Sequence, residues 1–229
     1  MNHVLDNPAW SALISGNKSF VNGNDTVKYF AREVSPFVAL KENSAENFLI
    51  LYNLIESDRT VLLISPAQIE LPNQWNLLQC ISGLQMVYEG DILPFETVPE
   101  LVPLTDAHIP QMLALIKLTN PGPFAERTID FGHYYGIFDS GKLVAMTGQR
   151  LHAFEYAEVS AVCTHPGHLG KGYARRLIIN QINRIKAAGE TPFLHVRHDN
   201  DRAVKVYKDL GFKKRTAIYY YVMKKAEGK

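Results

Sequence analysis

Cysteine is scarce: 229 residues hold only Cys80 and Cys163. Two thiols so far apart give no disulfide framework and fit a reducing compartment, so a cytoplasmic location is expected. No run approaches the ~20 uninterrupted apolar residues that a membrane span needs. The opening MNHVLDNPAW has no basic segment followed by an apolar one, and no secretory leader is expected. An excess of either charge is also missing, with 24 Lys and Arg against 23 Asp and Glu. That balance argues against nucleic acid or an anionic membrane as partner. Internal repeats and low-complexity tracts are absent as well. What is present is a chain with 46% hydrophobic and 21% charged residues, ample for a buried core.

Three prolines in Asp91–Pro103 interrupt the pattern and mark the best boundary. Two parts are expected, 1–95 and 98–229. In the first, Asn7 before Pro8 reads as a helix cap. Ser44 opens a second helix to Ile55, with Phe48, Leu49, Leu51 and Tyr52 on its stripe. Thr60–Ser65 and Gly83–Tyr88 read as strands. No recognisable chemistry lies in this part, whose expected role is packing and roofing a substrate site.

The second part is more regular. Leu101–Leu104 reads as a strand, and Thr105 caps a helix carrying Met112, Leu113, Leu115, Ile116 and Leu118. Strands near His133–Phe138 and Lys142–Gln149 are joined by a hairpin turn at Asp139-Ser140-Gly141. A strand at Tyr156–Thr164, a helix at Lys171–Ala188, a strand at Pro192–Val196, a helix at Asp201–Leu210 and a strand at Thr216–Met223 complete it. The order β-α-β-β-β-α-β-α-β predicts an α/β (α+β) fold, a mixed sheet with helices packed on it.

Two segments carry the chemistry. In Glu158–Ala174 (EVSAVCTHPGHLGKGYA) a strand enters a turn where Gly170 and Gly172 open a helix. Glycines there leave backbone N–H groups uncovered, which suits a pyrophosphate, and Lys171, Arg175 and Arg176 add positive charge. A P-loop is excluded, because no hydroxyl follows the lysine and the upstream loop is missing. The dinucleotide G-x-G-x-x-G pattern is missing too. In Asn200–Phe212 (NDRAVKVYKDLGF) Asn200 caps a helix, Ala203, Tyr207 and Leu210 share a face, and Gly211 ends it.

Leu169-Gly170-Lys171-Gly172-Tyr173-Ala174 resembles the acyl-CoA-binding motif of the GNAT superfamily of N-acetyltransferases, [Q/R]-x-x-G-x-[G/A], with leucine where Gln or Arg is usual. The pattern N-x-x-A-x-x-x-Y-x-x-x-G-F resembles that superfamily's second signature block. The resemblance covers about 98–229. AVCTHP, KGYARRL and VYKDLGF look like the branch of glycine N-acyltransferases, which implies a central sheet mostly antiparallel and a degenerate GNAT-like N-terminal half.

The resemblance implies acetyl-CoA as co-substrate and a primary amine, expected to be a small molecule, as acceptor. It implies that Tyr207 protonates the departing thiolate, that the Val162 N–H stabilises the oxyanion, and that Cys163 and Thr164 continue the strand beside pantetheine. Leu169–Ala174, Asn200, Ala203 and Tyr207 itself complete the implied cofactor site. Glu158, four residues before Val162 and on the same face if the strand is regular, matches a glutamate that serves some members as general base; His152 and His133 are weaker candidates.

His165-x-x-His168 and His195-x-x-His198 lack a supporting ligand set, so no metal is expected. Cys163 has no paired base and reads as a buried thiol rather than a nucleophile. The alternatives to the enzyme are an acyl-CoA sensor or pseudoenzyme, and a protein-directed acetyltransferase. Oligomeric state stays open, a homodimer included.

Overall fold

The computed structural model describes residues 3–94 and 100–226. The centre of the expected boundary, 95–99, lies outside them. The strands are β1 (Asn22–Gly23), β2 (Val27–Tyr29), β3 (Phe37–Leu40), β4 (Val61–Ser65), β5 (Trp75–Tyr88), β6 (Val102–Pro103), β7 (Tyr135–Asp139), β8 (Lys142–Ala153), β9 (Tyr156–Thr164), β10 (Thr191–Arg197) and β11 (Phe212–Lys225). The helices are α1 (Pro8–Leu13), α2 (Ala45–Leu54), α3 (Ile109–Thr119), α4 (Tyr173–Ala187) and α5 (Asp201–Leu210).

Local chemistry sets several boundaries. The Asn7 side chain accepts from Trp10 N and Pro8 takes the first helical turn, starting α1. Ser44 accepts from Asn47 N at the start of α2. Thr105 caps a 3-10 turn at Asp106–His108, and α3 begins only after it. Gly211, at φ 104°, ends α5 in a left-handed conformation that glycine adopts without a Cβ clash.

All the strands join one sheet in the order β1-β2-β3-β4-β11-β5-β10-β9-β8-β7-β6. The strand pairs are antiparallel except β3–β4 and β9–β10. The proposed division near residue 95 does not separate two sheets. β11, the last strand, lies between β4 and β5 of the N-terminal part, and β5 lies between β11 and β10. Backbone hydrogen bonding across the centre of the sheet therefore needs both parts.

α1 and α3 cover one face, where Leu5, Leu13, Phe37, Met112, Leu115, Met146, Cys163 and Phe193 form a core. α4 and α5 cover the other, packing Ile178, Ile182, Tyr207 and Leu210 on Met86, Val159, Leu194 and Val196. On that second side α2 seals a separate cluster around Trp75 and Tyr221.

Candidate acyl-transfer site

β9 and β10 pair over three residues only, Tyr156–Glu158 with Thr191–Phe193. Beyond these, β9 stays with β8 and β10 stays with β5. A wedge opens between two parallel strands, and the exposed edge of β9 keeps backbone groups available to a ligand. Val162, Cys163 and Thr164 lie along that edge. The Thr164 Oγ1 is buried with no hydrogen-bond partner among the described residues, a polar atom in want of a ligand or water.

Past Thr164 the chain makes a short 3-10 turn, Pro166–His168, and reaches the glycines. Gly170 and Gly172 take φ of 82° and 76°, and a Cβ built on either would meet no atom within 4 Å. Close packing is not what selects glycine here; conformation and uncovered backbone are. Gly172 is the N-cap of α4, and it has no side chain to accept from the first amides of this 15-residue helix. Leu169 is exposed, and Lys171 lies over the Tyr173 ring at 5.9 Å. These features fit the pyrophosphate of an acyl-CoA. Valine at Gly172 should strain the turn and cover its amides, weakening CoA binding about tenfold or more by calorimetry.

α5 flanks the wedge on the same side as α4. The Asn200 side chain accepts from Ala203 N at 3.1 Å, fixing the start of that helix, and Ala203 packs against the core below. Tyr207 is buried, its ring edge-on to Phe212 at 6.0 Å. Its hydroxyl has no hydrogen-bond partner among the described residues, and burial pushes the phenol pKa well above its ordinary value. Tyr207 belongs to the buried cluster against which Val162 packs. Cys163 faces the opposite core, where burial pushes its thiol up to about 12. Only its backbone can serve the cofactor edge.

Glu158 lies elsewhere than a regular strand would put it. Met146 pairs with Cys163 and Gly148 with Ser160, so Ala161 and Val162 together oppose Thr147. This bulge reverses the alternation. Val159 and Val162 share the α4–α5 face. Glu158 points the other way and is fully buried.

Four donors surround the Glu158 carboxylate. Arg150 Nε and Nη2 reach its two oxygens at 2.8 and 2.6 Å, Leu151 N donates at 3.3 Å, and His195 Nδ1 lies at 2.7 Å. Burial alone would raise the carboxyl pKa, but the Arg150 charge and hydrogen bonds, with His195, outweigh it and hold the group far below its usual range. A carboxylate so saturated and stabilised is a poor proton acceptor. The ion-pair geometry ties Glu158 to Arg150 on β8 and to His195 on β10.

The network extends into the N-terminal part. Gln85 Nε2 donates to Leu5 O at 2.8 Å and lies 2.9 Å from His195 Nε2, while its Oε1 accepts from Arg215 Nε. With both sides of the amide committed, the hydrogen-bond pattern puts the His195 proton on Nδ1, toward Glu158. Arg150, His195 and Gln85 were not predicted. A lone arginine in the otherwise apolar and polar run of β8 was the available signal.

The weaker base candidates lie at the closed end. His152 pairs across from Ala157, near the start of β9, and its ring faces Glu190. His133 contacts Arg184 at 3.1 Å and its pKa is lowered by burial, then by Arg184. His165 Nδ1 accepts from Gly167 N, and His168 pairs with Asp139 at 2.9 Å. Among the described residues no group of three or more His, Cys, Asp or Glu could hold a metal ion, and no helix is long and apolar enough to cross a membrane.

A family model described as FR47-like protein matches residues 134–222, which run from β7 into β11 and include both site motifs. The N-alpha-acetyltransferase RimI of Mycobacterium tuberculosis is 36% identical over 86 residues; the match spans 36% of this chain and 52% of that protein, about half its length. A GCN5-related N-acetyltransferase structure from Kribbella flavida shares the fold, with TM-score 0.64, 16% identity and coverage of 95% of this chain and 94% of that one. A structure from Novosphingobium aromaticivorans, assigned to the GNAT acetyltransferases, is 32% identical and superposes with TM-score 0.92 over 99% of this chain and 100% of that one. With likeness of that degree along the whole length, and with the wedge and glycine turn in place, the chain belongs to the GNAT family of acetyltransferases.

Proposed function

We propose that the chain transfers the acetyl group of acetyl-CoA to a primary amine by direct attack within a ternary complex. One observation carries this reading: the β9–β10 wedge opens onto the glycine-led start of α4, with Tyr207 in the buried cluster against which Val162 packs. The α4 amides and Lys171 hold the pyrophosphate, and the free edge of β9 pairs with pantetheine, where the Thr164 hydroxyl gains a partner.

The Val162 N–H takes the charge that develops on the carbonyl oxygen. Tyr207, a phenol neutral at physiological pH and kept so by burial, gives its proton to the departing thiolate and regains one from water before the next turnover. The acceptor attacks as the free amine, and its proton leaves to water through the wedge mouth. Glu158 takes no proton; it locks β9 to β8 and β10 at the wedge apex. The two free cysteines fit the cytoplasm as the site of action.

The likeness to an N-alpha-acetyltransferase makes a peptide α-amine the first acceptor to test, ahead of free amino acids, polyamines and aminoglycosides. The test is CoA release from acetyl-CoA across these amines. Release stimulated by at least one class is the expected result. An acyl-CoA sensor is the second reading, favoured by the commitment of Glu158 to its ion pair. Tight CoA binding with no amine-dependent release would support the sensor and end the transferase reading.

A further inference from the structure

The bulge that turns Val162 rests on a strained residue. Ala161 takes φ of 52°, the left-handed conformation that the first position of such a bulge commonly gives to glycine. An alanine persists there only where its surroundings fix it. β10 gives no support, because its pairing with β9 stops at Glu158. Support comes from β8, at the one residue the bulge opposes. Thr147 is fully buried, and its Oγ1 donates to the carbonyl of Ser160 at 2.9 Å, immediately before the strained residue. The next residue on β8 is also held in place. A Cβ on Gly148 would lie 2.4 Å from the Tyr134 ring, so that ring packs directly on the backbone beside Thr147.

We propose that Thr147 is a positioning residue for acyl transfer, its hydroxyl holding the β9 bulge in the form that aims the Val162 amide at the thioester oxygen. The proposal rests on the reading of Val162 as oxyanion donor. Thr147 acts through the β9 backbone, and its side chain stays in the sheet core. A donor is effective only where the oxyanion forms, so a small shift of the bulge lowers turnover more than it lowers affinity for acetyl-CoA.

The experiment compares Thr147→Val, Thr147→Ala and Thr147→Ser in the full chain, with CoA release for kcat and KM and calorimetry for CoA binding. Thr147→Val keeps the shape and loses the donor. It should lower kcat about tenfold or more, with KM for acetyl-CoA and CoA affinity within about twofold. Thr147→Ala carries the same expectation if the valine variant does not fold. Thr147→Ser restores the hydroxyl and should restore kcat. Adding Ala161→Gly to Thr147→Val should recover part of the loss, because glycine adopts the bulge conformation without strain. Unaltered kcat in a folded variant overturns the proposal, as does an equal loss of kcat and CoA affinity, or a loss that serine does not restore. Failure of both the valine and alanine variants to fold also counts against it, since that marks a structural role. A wild-type chain that releases no CoA with any amine would sink the transferase reading itself. Full activity in Thr147→Val sinks this proposal alone.

Discussion

Glutamine at position 158 is expected to destabilise the fold by roughly 3–5 kcal/mol while leaving the pH–rate profile of the folded fraction unchanged. The Arg150 side chain is 10% exposed and its partner 0%, so removing the carboxylate charge strands a guanidinium in the sheet. A general base would give the opposite result, a stable protein whose rate falls most at low pH. Denaturant unfolding and a pH–rate series on the same variant separate the two.

The sign follows from the depressed pKa. The carboxyl ionises far more readily in the folded chain than at its ordinary value of 4.5, so the stabilisation is fully present above that value. It is lost progressively as pH falls below that value toward the depressed one, in strong acid. Replacing both partners, Arg150→Met with Glu158→Leu, should cost much less than either single change, because neither charge is then left alone. Wild-type turnover should rise with pH toward the acceptor amine's own ionisation, with no inflection from Glu158.

Phenylalanine at position 207 should produce the reverse division, lowering kcat by about 10²–10⁴ and leaving stability nearly untouched. The Tyr207 hydroxyl makes no hydrogen bond within the described residues, so its loss breaks none, and the ring keeps its contact with Phe212. Affinity for CoA should stay within about twofold, since the pyrophosphate and pantetheine contacts lie elsewhere. The check is kcat against KM for acetyl-CoA, beside a thermal melt. Turnover equal to wild type would remove Tyr207 as the acid.

What could be read from the sequence follows how local each signal is. The limits of β9, Tyr156–Thr164, were legible because β-branched residues run between two turns, and α5 was legible from the Asn200 cap and Gly211 stop. The glycine turn was legible because left-handed positions at a helix start select glycine. The bulge was not. Its left-handed residue is Ala161, with no glycine to mark it, and Ser160-Ala161-Val162 gives alternation nothing to break.

Missing the bulge put Glu158 on the wrong face. Its true partners come from β8, where Arg150 and Leu151 together oppose it, and from His195 on the neighbouring strand. The short strands β1 to β3 were missed because two to four residues hold too little pattern, and pairing alone defines them. The first half of β5 escaped for a related reason. Leu77, Leu78 and Cys80 are exposed there, so burial writes no periodicity into the sequence.

The place of β11 has a consequence for how the chain acquires its fold. β11 is hydrogen-bonded to β4 and β5, strands whose sequence lies more than a hundred residues earlier. During synthesis those strands emerge well before their shared neighbour, and hydrophobic edges such as Leu62–Ile64 must wait for it. Closure of so long a loop comes late and slows the search for the native state. Until then the nascent chain offers open strands to other chains, the condition under which chaperone holding improves yield. Deleting residues 212–225 should therefore leave an aggregating product in place of a shortened enzyme.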